Sequence, residues 1–371
     1  KLFNAFRRSQ TDAWRLASLS QSICPSLSKA PFNHPGLSFP TLTEYHRAST
    51  PGPQVNQKSQ VTHTRTKDLH PRNRHGDRYD FPALIRSCPG LEAFVVANPK
   101  GDDTVDFADP EAVKMLNRAL LVHHYGITHW DIPTGYLCPA IPGRAECLHR
   151  LADLLAGDNE NEVPRGRKVK VLEIGVGANC VFPIIGAAEY GWKFVGSDID
   201  PLSVRWAREL AAGNPSMKRN LECRLQAKPA NFFKGIVKAK ERFALALCNP
   251  PFHASRKAAQ SGTLRKLRNL QGKQATEAEL NFGGSDTELW YDGGEAGFIR
   301  GMIRESASMP EACAWYTVMV SKHENLAGIH KGLKSVRACE SQILEIRLGQ
   351  KQSRIAAWTF QNRESRRRYW E

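Results

Sequence analysis

The chain has 371 residues, with 52 Lys and Arg against 37 Asp and Glu for a formal net charge of +15. That length excludes a peptide-sized or disulfide-stapled fold and provides for a substantial core. The charge favours a polyanionic partner, nucleic acid first. Charges interrupt every apolar window well before the roughly 18 residues a spanning helix needs, so no membrane role is expected. The nine cysteines are odd in number and none stand in a C-x-x-C pair. They are expected to be buried thiols in a reducing compartment, with neither a disulfide framework nor a metal site.

Residues 1–67 are rich in Ser, Thr, Pro, Gln and Arg, carry only Asp12 and Glu44 as acids, and show no apolar period. They read as a disordered extension. The opening Lys1 to Ser9, Arg-containing and acid-free, also fits an organellar transit peptide. Residues 68–156 form a small, mainly helical module, with helices predicted over Phe81–Ser87, Pro110–Tyr125 and Ala145–Leu155. Asp109-Pro110-Glu111 supplies the second with an N-cap, a first-position proline and an acid in the first turn. His123, His124 and His129 have no accompanying Cys or acid pattern and read as packing or surface residues.

From 157 to 361 short apolar strands alternate with helices: strand 168–174, helix 180–190, strand 193–199, helix 201–212, then strands 221–225, 243–247, 315–320, 342–348 and 354–360. Crossover helices imply parallel pairing, while the five residues between the last two strands permit only an antiparallel hairpin. This is the layout of an α/β class I methyltransferase, Rossmann-like and mostly parallel. Residues 362–371 are a basic tail, with Arg366 expected at a solvated helix end.

The first strand runs into Glu173-Ile-Gly175-Val-Gly177, a glycine turn at a helix start that lets backbone approach a ligand. Cys180 stands where a dinucleotide fingerprint has its third glycine or alanine, which lowers the case for NAD. Asp198 ends the second strand, placed to accept from ribose hydroxyls. Cys248 leads into Asn249-Pro250-Pro251-Phe252. The prolines stiffen the turn and hold the Pro250 carbonyl out as an acceptor. The Asn249 side chain is a second acceptor, and Phe252 offers a face for stacking. Two acceptors on one planar NH2 direct the nitrogen lone pair at an incoming methyl group. The clamp serves adenine N6 or a glutamine carboxamide.

Together, Leu69–His75, Asp109–Val113, Glu173–Cys180, Asn249–Phe252, Asn281–Gly284, Glu288–Trp290 and Gly293–Glu295 resemble the ribosomal RNA large subunit methyltransferase F family, adenine-N6 methyltransferases of 23S ribosomal RNA. More distantly they are similar to a eukaryotic adenine-N6 methyltransferase of a small nuclear RNA. The resemblance covers about Asp68 to Phe360. It implies S-adenosylmethionine as donor, with cofactor contacts at Glu173, Gly175, Gly177, Asp198 and Asn249. It also implies Arg144 at the methionine carboxylate, a role no local signal suggests, and a cofactor-adenine loop at 226–229. It makes Arg72 and Arg74 part of an RNA grip. The acid-free segment after the clamp, with Arg256, Lys257, Arg265, Lys266 and Arg268, adds a basic loop suited to phosphates. The expected partner is 23S ribosomal RNA or a pre-ribosomal particle, the expected state a monomer and the expected compartment the cytoplasm. A glutamine methyltransferase and a catalytically silent RNA-binding assembly factor are the competing readings.

Overall fold

The computed structural model describes residues 69–258, 286–349 and 351–370. The extension 1–67, Asn281–Gly284, and Arg265, Lys266 and Arg268 lie outside the described residues. The described residues belong to one compact unit.

Helix α1 (Phe81–Ser87) leads through a 3-10 turn to a small hairpin, β1 (Val95–Ala97) with β2 (Asp103–Val105). Helix α2 (Pro110–Tyr125) starts as its sequence dictates, with the Asp109 side chain accepting from the Glu111 amide at 2.9 Å. It ends where Gly126 adopts φ 66°, a left-handed turn that glycine enters without strain. Helix α3 (Ile141–Ala156) begins four residues before its predicted start, because Pro142 is tolerated in a first turn that needs no amide partner. Gly143 permits close packing there: a Cβ would stand 3.0 Å from Leu348. The earlier start places Arg144 within the helix.

A seven-stranded sheet follows, built from β3 (Lys170–Ile174), β4 (Lys193–Asp198), β5 (Leu221–Leu225), β6 (Phe243–Cys248), β7 (Cys313–Val320), β8 (Glu340–Leu348) and β9 (Lys351–Thr359) in the order β5-β4-β3-β6-β7-β9-β8. The first five strands pair in parallel; β9 enters antiparallel between β7 and β8. Strands β6 and β7 are buried along their whole length, as their unbroken apolar runs require. Helices α4 (Val181–Tyr190) and α5 (Pro201–Gly213) connect the first strands, while α6 (Gly294–Ala307) and α7 (Asn325–Ser335) serve the other half. The sequence predicts no helix at α6 or α7, and both are present.

Two apolar clusters sandwich the sheet. One joins residues of α1 to α5 to the strands, running from Phe81 to Ala357. The other joins Phe233, Ile299, Met302 and Ile329 to Tyr316 and Trp358. At α8 (Arg363–Arg367) the expectation of a solvated Arg366 is corrected. Arg366 is 2% exposed, donates to Asp158 at 2.7 and 3.0 Å and to Glu340 at 2.8 Å, and lies over the Trp315 ring. A guanidinium so buried persists only because carboxylates and an aromatic face replace its water.

Candidate active site

The register levels the carboxyl ends of three strands. Ile174 pairs with Ser197 on one side and with Cys248 on the other, so Gly175, Asp198 and Asn249 open along one edge, at the point where the chain crosses from one side of β3 to the other. A cavity of about 300 Å³ occupies that edge. Arg144, Glu173, Gly175, Gly177, Asp198, Asn249 and Pro251 all line it, along with Gln226 and Pro229 of the loop expected near a cofactor ring.

Gly175 and Gly177 adopt φ of 75° and 61°. A Cβ on Gly175 would meet nothing within 4 Å and would project into open space, which a bound group can occupy instead. Asp198 holds the turn from below, accepting from the Gly177 and Asp200 amides, each at 2.9 Å. Burial pushes its pKa up to about 6 against those two bonds, and the nearby charges of Glu288 and Asp200 add to the rise. The lone pairs left over on this carboxylate remain able to take hydroxyl donors.

Two buried oxygens in the cavity wall lack hydrogen-bond partners, and a cation beside them lacks an ion pair among the described residues. The Asn249 Oδ1 atom is buried and has no hydrogen-bond partner, and Glu173 Oε2 is in the same condition. Burial raises the Glu173 pKa well above the ordinary carboxylate range, partly offset by Arg144. Arg144 is half-buried over the Phe182 ring at 5.6 Å and has no ion pair among the described residues. Burial lowers its pKa. Buried polar atoms without partners are uncommon in native proteins, and two on one wall beside a cation without an ion pair point to a polar ligand.

Not all expected residues converge. Pro250 is buried, and Phe252 is half-buried; neither lines the cavity. Its aromatic wall consists of Trp290, Tyr291, Phe298, Phe232 and Phe182. Of these only Trp290 lies in a segment singled out from the sequence, and nothing local marked it as a wall. Arg72 is committed elsewhere: it donates to Asp153 at 2.5 Å, to Tyr190 Oη at 3.0 Å and to the His149 carbonyl at 3.1 Å. Arg74 donates to Glu189 at 2.6 Å. Both are ties within the fold. Arg256 and Lys257 are exposed just after the clamp. The histidines pack: His123 bonds Ser87 Oγ at 2.8 Å, and His124 stands edge-on to His75. No group of metal-ligating side chains occurs among the described residues.

Comparison with known proteins agrees with this geometry. A family profile described as RNA methyltransferase matches residues 63–362. The chain is 54% identical over 297 residues to ribosomal RNA large subunit methyltransferase F of Serratia proteamaculans, covering 80% of this chain and 88% of that one. It is 48% identical over 314 residues to the protein of the same name from Cytophaga hutchinsonii, covering 84% and 98%. Among solved structures, the hMettl16 catalytic domain in complex with an RNA hairpin from the MAT2A 3'UTR superposes with a TM-score of 0.67 at 26% identity, over 80% of this chain and 96% of that one. The N-terminal domain of human METTL16 in complex with SAH gives 0.61 at 25% identity, over 79% and 99%.

Proposed function

The chain belongs to the RNA methyltransferase family, and from that premise we propose that it methylates N6 of one adenine in 23S ribosomal RNA, using S-adenosylmethionine. The observation that carries this reading is the buried, unpartnered Asn249 Oδ1 beside the cavity, an acceptor with no protein donor to satisfy it. An exocyclic amine is the donor it fits; the Pro250 residue is buried outside the cavity lining, and its backbone carbonyl, one residue on, is the proposed second acceptor. With both amine hydrogens engaged, the lone pair stands out of the base plane along the line of attack.

The residues present fit the donor. Arg144, a cation lacking an anion, suits its carboxylate. Glu173 Oε2 suits its ammonium, and Asp198 its ribose diol. Gly175 and Gly177 leave room for the chain joining them, and the apolar surfaces of Ile199, Pro229 and Phe232 suit its adenine. When bound, the sulfonium supplies an activated methyl group. This chain's part is alignment and exclusion of water; no covalent step on the protein and no dedicated base is required.

The cytoplasm is the proposed compartment and a monomer the proposed state, with naked 23S RNA or an assembling particle as substrate; no helix among the described residues is long and apolar enough to cross a membrane. Arg256 and Lys257, with the basic residues that follow them in sequence, are the proposed phosphate grip. The test is incubation with labelled S-adenosylmethionine and unmodified large-subunit RNA, followed by mass spectrometry of the digested nucleosides. Label in N6-methyladenosine at one position is expected. Label on protein alone would support the glutamine reading and overturn this one.

A further inference from the structure

Two large apolar side chains line the cavity while standing well exposed: Ile199 and Trp290, each at 37%. Ile199 follows Asp198, at the end of the cavity assigned above to the cofactor. Trp290 stands beside the clamp. Its segment runs beside the residues just after the clamp in a parallel bridge with His253. The His253 amide donates to the Leu289 carbonyl at 3.1 Å, and the Tyr291 amide donates to the His253 carbonyl at 3.0 Å. These two bonds fix Trp290 alongside a residue only two positions beyond Pro251.

The support behind this segment is firm. Gly293 and Gly294, at φ 74° and 63°, turn the chain directly into α6, and a Cβ on Gly294 would stand 3.4 Å from Ala254. The carboxylate of Glu295, 2% exposed, takes the Ser321 amide at 2.7 Å, the Lys322 amide at 3.2 Å and Asn325 Nδ2 at 2.5 Å. That anchor ties the start of α6 to the end of β7. The indole is therefore carried on a pinned backbone at the mouth of the cavity, on the clamp side.

Resting on the adenine-N6 reading, we propose that Trp290 is a stacking surface for the target adenine in addition to the face that Phe252 of the Asn-Pro-Pro-Phe turn offers. Phe252 lies outside the cavity lining and Trp290 within it. An indole left with over a third of its surface in water loses hydrophobic stabilisation that a flipped-out base restores by covering its face. Stacking is indifferent to a base's hydrogen-bonding edge, so Trp290 holds the plane while Asn249 reads the amine.

The experiment compares wild type with Trp290→Ala, Trp290→Leu, Trp290→Phe and Phe252→Ala. Methyl transfer to unmodified large-subunit RNA gives KM and kcat, and calorimetry gives the affinity for S-adenosylhomocysteine. Trp290→Ala and Trp290→Leu should raise the RNA KM about tenfold and leave S-adenosylhomocysteine affinity within about twofold. Trp290→Phe should recover most of the loss, which a role in bulk packing alone would assign to Leu instead. An RNA KM unchanged in Trp290→Ala, or a loss confined to Phe252→Ala, overturns the proposal while the function stands. Wild-type protein that transfers no methyl to RNA overturns the function itself, and this assignment with it.

Discussion

Arg366 and Arg144 are both guanidiniums packed over aromatic rings, at 4.6 Å from Trp315 and 5.6 Å from Phe182. Behind the sheet, Arg366 is closed in by Asp158, Glu340 and the Gln361 carbonyl, which it reaches at 2.8 Å. At the carboxyl edge, Arg144 has no carboxylate within ion-pair distance among the described residues, and two neighbouring buried oxygens also lack partners. The same chemistry has opposite uses. Where every polar group is matched, the arginine holds elements together; where the wall is left unmatched, the missing partners belong to a ligand. The contrast also bears on Arg72 and Arg74, which the family resemblance grouped with an RNA grip and which the fold pairs with Asp153 and Glu189.

If the division is sound, substitutions on its two sides should separate stability from activity. Arg366→Met leaves Asp158 buried without its partner and should destabilise the chain by about 3 to 5 kcal/mol; a thermal melt within a degree of wild type would break the comparison. Asn249→Ala should lower turnover about 10²- to 10³-fold, the usual loss for one well-placed polar group at a reacting centre. Its melting temperature should not fall, since an unsatisfied oxygen is being removed. Arg144→Met should weaken S-adenosylhomocysteine binding about tenfold or more with little change in stability of the free protein, as titration calorimetry and a paired melt would show.

The smallest effect is one of pH. With its folded pKa at about 6, Asp198 takes up a proton in the native state before it does in the unfolded chain. It therefore contributes stability to the free protein that is present at low pH and lost as pH rises through 6. Ligand binding runs the other way, because hydroxyl donors require the charged carboxylate. Affinity for S-adenosylhomocysteine should fall by up to about tenfold from pH 7 to pH 5. Asp198→Asn should flatten that profile; a dependence surviving the substitution would assign it to Glu173.

Much of the scaffold was legible because it rests on local rules. Asp109-Pro110 and Asp200-Pro201 set two helix starts, and in both the aspartate side chain accepts first-turn amides. Apolar runs long enough for one buried strand, such as Phe243–Cys248, placed the strands within a few residues, and the short Gly349 connection dictated the hairpin. The glycine turn and the Asn249 clamp were legible for the same reason, since their conformations are properties of a few consecutive residues.

What sequence by itself determined, then, was the succession of strands along the chain, the hairpin that closes the sheet, and the chemistry of the turns after β3 and β6. Tertiary structure alone decided which charges are matched and which aromatic rings face the cavity. Arg366 meets Asp158 across 208 positions and Trp290 meets the clamp through a bridge to His253, contacts between residues far apart in the chain and without any periodicity. A turn is written in its own residues, whereas the partner of a buried charge is written wherever the fold returns the chain.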